Sequence, residues 1–77
     1  MDTLLAKKQV EVGKAIRLIG TMKECGARDS ELFRAKLYLT AIKTLDTDDE
    51  YLYSRKLDQA YDDFDIEELE RKYGGNE

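Results

Sequence analysis

The residues of this sequence with the greatest capacity for chemistry are its carboxylates, its tyrosines and one thiol. The chain has no histidine, which removes the commonest general base, the Ser–His and Cys–His nucleophile pairs and most zinc sites. Cys25 is alone and forms neither a disulfide nor a CxxC motif. The glycines match no dinucleotide-binding or phosphate-binding loop. Carboxylates on a polar helix face are ordinarily just solvated, so we expect a non-enzymatic protein without a cofactor.

The acidic cluster at residues 46–50 resembles a calcium-binding loop only superficially. Counting from Asp46, the sixth position is Tyr51 and the twelfth is Leu57, where an EF-hand requires Gly and Glu. Thr47 followed three residues later by Glu50 instead matches a helix capping box. The cluster therefore predicts the start of a helix, and we expect no metal.

Charge divides the chain into two unlike parts. Residues 1–43 carry nine basic and five acidic side chains, a net charge of 9 − 5 = +4, and residues 44–77 carry four and twelve, a net of 4 − 12 = −8. The sum is the net charge of −4 for the 77-residue chain. Such a division attracts a charged partner or a second copy.

Length, cysteine content and hydropathy bound the class of protein. A chain of 77 residues predicts a single domain, 1–77, with a small core. The lone thiol and the absence of a secretion pattern predict a reducing, cytoplasmic location. No apolar run approaches the roughly 18 residues that a membrane span needs, so we expect no membrane partner.

Hydrophobic periodicity without proline predicts an all-α fold. We expect a compact bundle of three main helices plus a short C-terminal fourth helix, with the very apolar helix 2 central. On helix 1 the predicted core face includes Leu5, Val12, Ile16 and Ile19, and Gly26 is placed to end the helix. The predicted helices span about 3–25, 30–45, 48–62 and 66–73, followed by a frayed tail at 74–77. Asp29 or Ser30 is expected to cap helix 2.

A change in hydrophobic phase separates helix 3 from helix 4. Ile66, Leu69 and Tyr73 form a stripe about 160° away from Phe64 on a helical wheel. One straight helix cannot bury both stripes against one surface. The sequence therefore predicts a break near residues 62–65.

Small residues recur at heptad spacing on helix 1, at Ala6, Gly13 and Gly20. Each mid-helix glycine costs about 1 kcal/mol relative to alanine. One interpretation is close approach of a second helix, from within the fold or from a twin chain, and it predicts a homodimer. The other is that these are tolerated surface glycines.

An aromatic and acidic surface on the C-terminal half is the predicted partner-binding site. Tyr51 and Leu52 lie off the predicted core stripe of helix 3, near Arg55, and such a group has the composition of an interaction hot spot. The alternative is that helix 4 folds back and covers Tyr51 and Leu52. The predicted partner-binding residues are Tyr51, Leu52, Arg55, Asp58, Tyr61, Asp62 and Asp63.

The sequence thus predicts a protein-binding regulator or inhibitor that recognises a basic or nucleic-acid-handling protein. Small acidic helical proteins are common among phage and mobile-element products that bind host proteins, which is an association only. A first alternative is a nucleic-acid-binding regulator that uses a basic face of helices 1 and 2, with Lys7, Lys14, Arg17, Lys36 and Lys43. The acidic balance of the chain argues against direct nucleic-acid binding. A second alternative is a self-assembling helical scaffold subunit.

Overall fold

The computed structural model describes residues 3–74, and all regular structure within that range is helical. The elements are α1 (Thr3–Glu24), α2 (Asp29–Lys43), α3 (Glu50–Asp63), α4 (Ile66–Leu69) and a π-helical turn (Glu70–Gly74). α2 packs against α1, α3 and α4. The predicted all-α bundle with a short fourth helix is therefore confirmed. None of the described helices is long and apolar enough to cross a membrane.

Gly26 ends α1 in the way that its position predicts. Its φ of 74° is left-handed, a conformation that glycine adopts without steric cost. The Ala27 N–H donates to the Met22 carbonyl at 2.9 Å, and the Gly26 N–H donates to the Lys23 carbonyl at 3.2 Å. This pair of bonds is a Schellman motif, which satisfies the last carbonyls of the helix and turns the chain into α2.

The first turns of α2 and α3 are capped by residues other than those predicted. Arg28, not Asp29 or Ser30, precedes α2, and its N–H donates to Glu31 Oε1 at 3.2 Å. Asp49, not Thr47, caps α3. At each helix start a nearby carboxylate within reach, of Glu31 or of Asp49, accepts a backbone N–H group that has no partner within the helix.

The chain breaks between α3 and α4, as the change in hydrophobic phase predicts. Phe64 ends α3, and Asp65 takes a left-handed conformation with φ of 51° and ψ of 50°. This reversal turns Ile66 and Leu69 into the core, where both are almost fully buried. The predicted fourth helix at 66–73 is in fact one α-helical turn followed by the π-helical turn. Gly74 lies in that turn, and the rest of the predicted tail, 75–77, lies outside the described residues.

The core is formed by all four helices. Its aromatic centre is Tyr38 of α2, whose ring meets those of Tyr61 and Phe64 edge-on at centroid distances of 6.4 and 6.3 Å. Edge-to-face pairs of this kind stabilise a core beyond the area that they bury. The buried residues are Ala15, Leu18, Ile19, Met22, Ala35, Tyr38, Ile42, Tyr53, Leu57, Ile66 and Leu69.

The predicted core face of helix 1 is rotated relative to the structure. On α1 the buried face centres on Ala15 and Met22, which leaves Leu5 and Ile16 exposed. On α2 the outward side carries Phe33, 63% exposed, and Leu37. The apolar content of these helices therefore exceeds what the core of so small a bundle takes up.

Glu31 fastens the C-terminal segment to α2. Its carboxylate accepts hydrogen bonds from Lys72 Nζ at 2.7 Å and from the Tyr73 hydroxyl at 2.5 Å. These two bonds, with a smaller contribution from the Arg28 N–H, lower the pKa of Glu31 from 4.5 to about 2. Arg34 makes a second link, donating to Glu68 at 2.8 Å. The π-helical turn is thus held by side chains as well as by packing.

We predict that Glu31→Gln reduces the acid sensitivity of folding. A carboxyl group whose pKa is lowered in the folded state stabilises that state fully above its unfolded pKa of 4.5 and loses this contribution as the pH falls toward about 2. Urea unfolding followed by circular dichroism should show a shallower decline of stability across this range for the variant. Glu24→Gln, on an exposed carboxylate, serves as the control. Equal pH slopes for Glu31→Gln and the wild type would contradict the prediction.

Candidate functional site

The outward side of α3 presents an exposed aromatic and acidic surface, hereafter the α3 face. Tyr51 is 66% and Leu52 45% exposed, whereas Tyr53 and Leu57 point into the core. On a helical wheel Tyr51, Arg55, Asp58 and Asp62 fall within about 60° of one another, and Leu52 lies at the edge. The α3 face comprises Tyr51, Leu52, Arg55, Asp58 and Asp62, all exposed.

Helix capping fixes the backbone at the start of the α3 face, and a cation–π contact joins two of its side chains. Asp49 Oδ1 accepts hydrogen bonds from the N–H groups of Tyr51 at 2.9 Å and of Leu52 at 3.3 Å. The Arg55 guanidinium carbon lies 5.8 Å from the centroid of the Tyr51 ring, within the range of a cation–π interaction. Binding through this face therefore loses less side-chain entropy than binding through a mobile surface.

Helix α4 does not cover Tyr51 and Leu52, which decides between the two sequence-based alternatives. Its apolar residues Ile66 and Leu69 are buried in the core instead. The π-helical turn that follows packs on α1, so closely that a Cβ on Gly74 would lie 3.2 Å from Leu18 Cδ1. The C-terminal segment thus returns toward α1, and the α3 face stays open.

Tyr61 does not belong to the α3 face, contrary to the prediction. It is half-buried, packs against Tyr38 and donates a hydrogen bond to Glu70. Burial and this bond raise the pKa of Tyr61. The cause is helix geometry, since Tyr61 is about 100° round from Asp62. Asp63 is exposed but lies about 100° beyond Asp62 on the other side, at the flank of the predicted site.

A cavity of about 310 Å³ opens where α1, α3 and the C-terminal segment meet, and sequence reasoning did not find it. Its apolar lining is Ala15, Leu18, Leu57 and Ile66. Its polar lining is Tyr38 and Tyr61 together with the charged residues Glu11, Lys14, Asp58 and Glu70. The available signal was Tyr38, a tyrosine among the aliphatic residues of α2. Asp58 lies both on the α3 face and at the cavity.

The electrostatics of the cavity are dominated by carboxylates. Lys14 Nζ lies 3.6 Å from Glu11 Oε2, so three carboxylates and one ammonium leave an excess of two negative charges. Burial raises the pKa of the Tyr38 hydroxyl to about 12, and the charges of Glu11, Glu70 and Asp58 add to the shift. A neutral phenol therefore faces a negative cavity.

The small residues of helix 1 face open space. A Cβ on Gly13 or Gly20 would meet no atom within 4 Å, and Ala6 is exposed. The interpretation that a helix of the same fold approaches them is therefore wrong. Approach by a twin chain and simple tolerance of glycine remain as the two alternatives.

The basic residues of helices 1 and 2 do not lie on one surface. Lys14 lines the cavity, and Lys7 Nζ donates to Ser54 Oγ of α3 at 2.5 Å. Lys36 and Lys43 are exposed about 140–160° round α2 from the inward-facing Tyr38. Between residues 3 and 74, no group of three or more cysteine or carboxylate side chains is arranged to hold a metal ion.

Comparison with known proteins leaves the function to be argued from these surfaces. No protein-family model, curated protein or solved structure matches the chain. The α3 face, the cavity and the outward side of α1 are therefore the features from which a function is inferred.

We predict that Gly13→Ala and Gly20→Ala each raise the free energy of unfolding, by about 1 kcal/mol. The reason is that alanine restricts the unfolded chain and, in the monomer, meets no neighbouring atom. Urea unfolding at low protein concentration measures the effect. Gly26→Ala is the opposite control and should destabilise by about 1 kcal/mol, because φ there is positive. A loss of stability at position 13 or 20 would contradict the prediction and indicate that another helix packs there.

Proposed function

We propose that this protein is a small non-enzymatic regulator or inhibitor that acts by binding a protein partner through the α3 face. The observation that carries the proposal is the exposure of Tyr51 and Leu52 at a capped helix start, with Arg55 against the Tyr51 ring. Tyrosine and arginine are the residues that most often supply binding energy once a partner removes them from water. Their fixed geometry suits a pre-organised contact.

The chemistry of the α3 face favours a basic partner. Asp58 and Asp62 flank the aromatic group, and the C-terminal half carries a net charge of −8 (four basic against twelve acidic residues). Surrounding acids steer a positively charged target and raise its association rate. A nucleic-acid-handling protein has such a surface, since it must attract phosphates. We place this function in the cytoplasm, where the exposed, unpaired Cys25 stays reduced.

We predict that Tyr51→Ala weakens binding of the partner by about 1–3 kcal/mol, or roughly 10- to 100-fold. The partner is first isolated from the host by pull-down and identified by mass spectrometry, and its affinity is then measured by calorimetry. Phe33→Ala is the matched control, because Phe33 is an equally exposed aromatic residue, 63% against 66%, on the outward side of α2. It should leave binding unchanged.

The same experiment separates the proposal from its alternatives. If Phe33→Ala abolishes binding while Tyr51→Ala does not, the interface lies on α2 and the proposal is wrong. Co-purification of nucleic acid, lost on Lys36→Ala, would favour the nucleic-acid-binding regulator. Recovery of the protein alone would favour the scaffold subunit.

We further predict that the protein forms a homodimer through α1. The outward direction of Gly13 and Gly20 leaves room for a second helix, and a small core gains from assembly. Sedimentation equilibrium at micromolar concentration should give twice the mass of the chain. Gly13→Leu and Gly20→Leu should give folded monomers, since a Cβ at either position meets no atom of the chain within 4 Å. A wild-type monomer would contradict this prediction.

A further inference from the structure

The cavity between α1, α3 and the C-terminal segment has two chemically distinct parts. Its floor is aliphatic, formed by Ala15 and Leu18 of α1, Leu57 of α3 and Ile66 of α4. Its rim carries the carboxylates of Glu11, Asp58 and Glu70. The volume of about 310 Å³ is at the lower end of the range for small-ligand pockets, about 300–1,000 Å³. The ligand that complements both parts has an apolar stem and a positive end.

The hydroxyl of Tyr38 is an independent sign of a polar ligand. Tyr38 is only 6% exposed, yet none of the hydrogen bonds among residues 3–74 involves its hydroxyl group. The buried side-chain atoms that lack a partner in the described chain are Arg34 Nε and the Tyr53 hydroxyl, so the Tyr38 oxygen itself keeps access to solvent at the cavity that this residue lines. A hydroxyl oxygen in that position can accept a hydrogen bond from a bound donor. The neighbouring Tyr61 already donates to Glu70, so Tyr38 is the tyrosine of the cavity lining whose hydroxyl is available to a ligand.

We propose that this cavity binds an alkylammonium group, either the side chain of a lysine on the partner protein or a free polyamine. The aliphatic stem packs on Leu18 and Leu57. The ammonium lies among Glu11, Asp58 and Glu70 and donates a hydrogen bond to the hydroxyl oxygen of Tyr38. For a partner lysine the inference rests on the proposed function, because Asp58 joins the cavity to the α3 face.

Charge and geometry both select an organic cation over other ligands. The rim has an excess of two negative charges, which repels anions and favours cations over neutral alcohols. A metal ion needs several oxygen ligands within a short bonding distance. Among the described residues, no set of three or more carboxylates is arranged to provide them. An alkylammonium needs only separate acceptors around a half-enclosed volume. The negative field also acts on Tyr38, whose pKa is raised.

The binding test uses n-butylammonium as the probe and the full chain labelled with ¹⁵N. Titration followed by two-dimensional NMR should shift the amide signals of Ala15, Leu57 and Ile66 saturably. Butanol and butyrate, which share the stem but not the charge, should not do so. No saturable shift with n-butylammonium, or an equal response to butanol, would overturn the proposal.

Matched variants locate the cation. Asp58→Asn and Glu70→Gln should each weaken binding of n-butylammonium, by about tenfold. Asp63→Asn removes the same charge from the same helix outside the cavity, and it should have little effect. Lys14→Gln should strengthen binding, because it removes the competing ammonium beside Glu11. Equal losses for Asp58→Asn and Asp63→Asn would show a response to overall charge only and would overturn the proposal. Circular dichroism verifies that each variant is folded.

Two further probes distinguish the sources of the ammonium group and separate this inference from the proposed function. Tighter binding of spermidine than of an N-acetylated, lysine-containing peptide identifies a free polyamine, and the reverse order identifies a partner lysine. Binding of neither would overturn the proposal. Tyr51→Ala should leave n-butylammonium binding unchanged, because Tyr51 is not part of the cavity. If n-butylammonium fails to bind while Tyr51→Ala weakens the partner, this inference is wrong and the proposed function stands. If n-butylammonium binds while Tyr51→Ala leaves partner binding unchanged, this inference stands and the proposed function is wrong.

Discussion

The reversal of the chain at Asp65 is the constraint on which the rest of the structure depends. A left-handed residue costs roughly 1–2 kcal/mol, but it brings Ile66 and Leu69 from the polar side of α3 into the core. Full burial of two such side chains stabilises the fold by about 1.5–3 kcal/mol each, so burial wins. Without the reversal, the C-terminal segment would not pack against α1 and α2.

The same reversal decides where charge ends up. It brings Lys72 and Tyr73 to Glu31 and places Glu70 beside Tyr61. From the basic half, Lys7 donates a hydrogen bond to the Ser54 hydroxyl of α3, and Lys8 donates one to the Thr47 carbonyl just before α3. Arg34 and Glu68 form an ion pair between a base of the first half and an acid of the second, and Glu31 and Lys72 form one with the signs exchanged. Asp58 and Asp62 stay exposed on the outward side of α3, where they add to the negative charge of the second half of the chain.

Local signals in the sequence were enough for the helices, for Gly26 and for the break, because each depends on residues that are close in the chain. They were not enough to predict that the Tyr61 side chain faces the core. Tyr61 and Asp62 are adjacent in the sequence, and one residue along a helix turns the side chain by about 100°. They also failed for the cap of α3, because the Thr47 hydroxyl accepts from the Asp49 N–H, whereas Asp49 itself accepts from the N–H groups of the first turn. The cavity lay beyond sequence reasoning altogether, since it depends on how far apart α1 and α3 are held by Tyr38 and the returning C-terminal segment.

The outward sides of α2 and α3 both expose aromatic residues, and their surroundings distinguish them. Phe33 and Leu37 offer apolar area alone, and isolated apolar area is ordinary on small proteins. Tyr51 adds a fixed backbone, a guanidinium over its ring and nearby carboxylates. Asp58 then links this group to a negative cavity with an aliphatic floor. Under the two proposals taken together, the contact has two points: the aromatic group supplies affinity and the cavity selects a basic side chain of the partner.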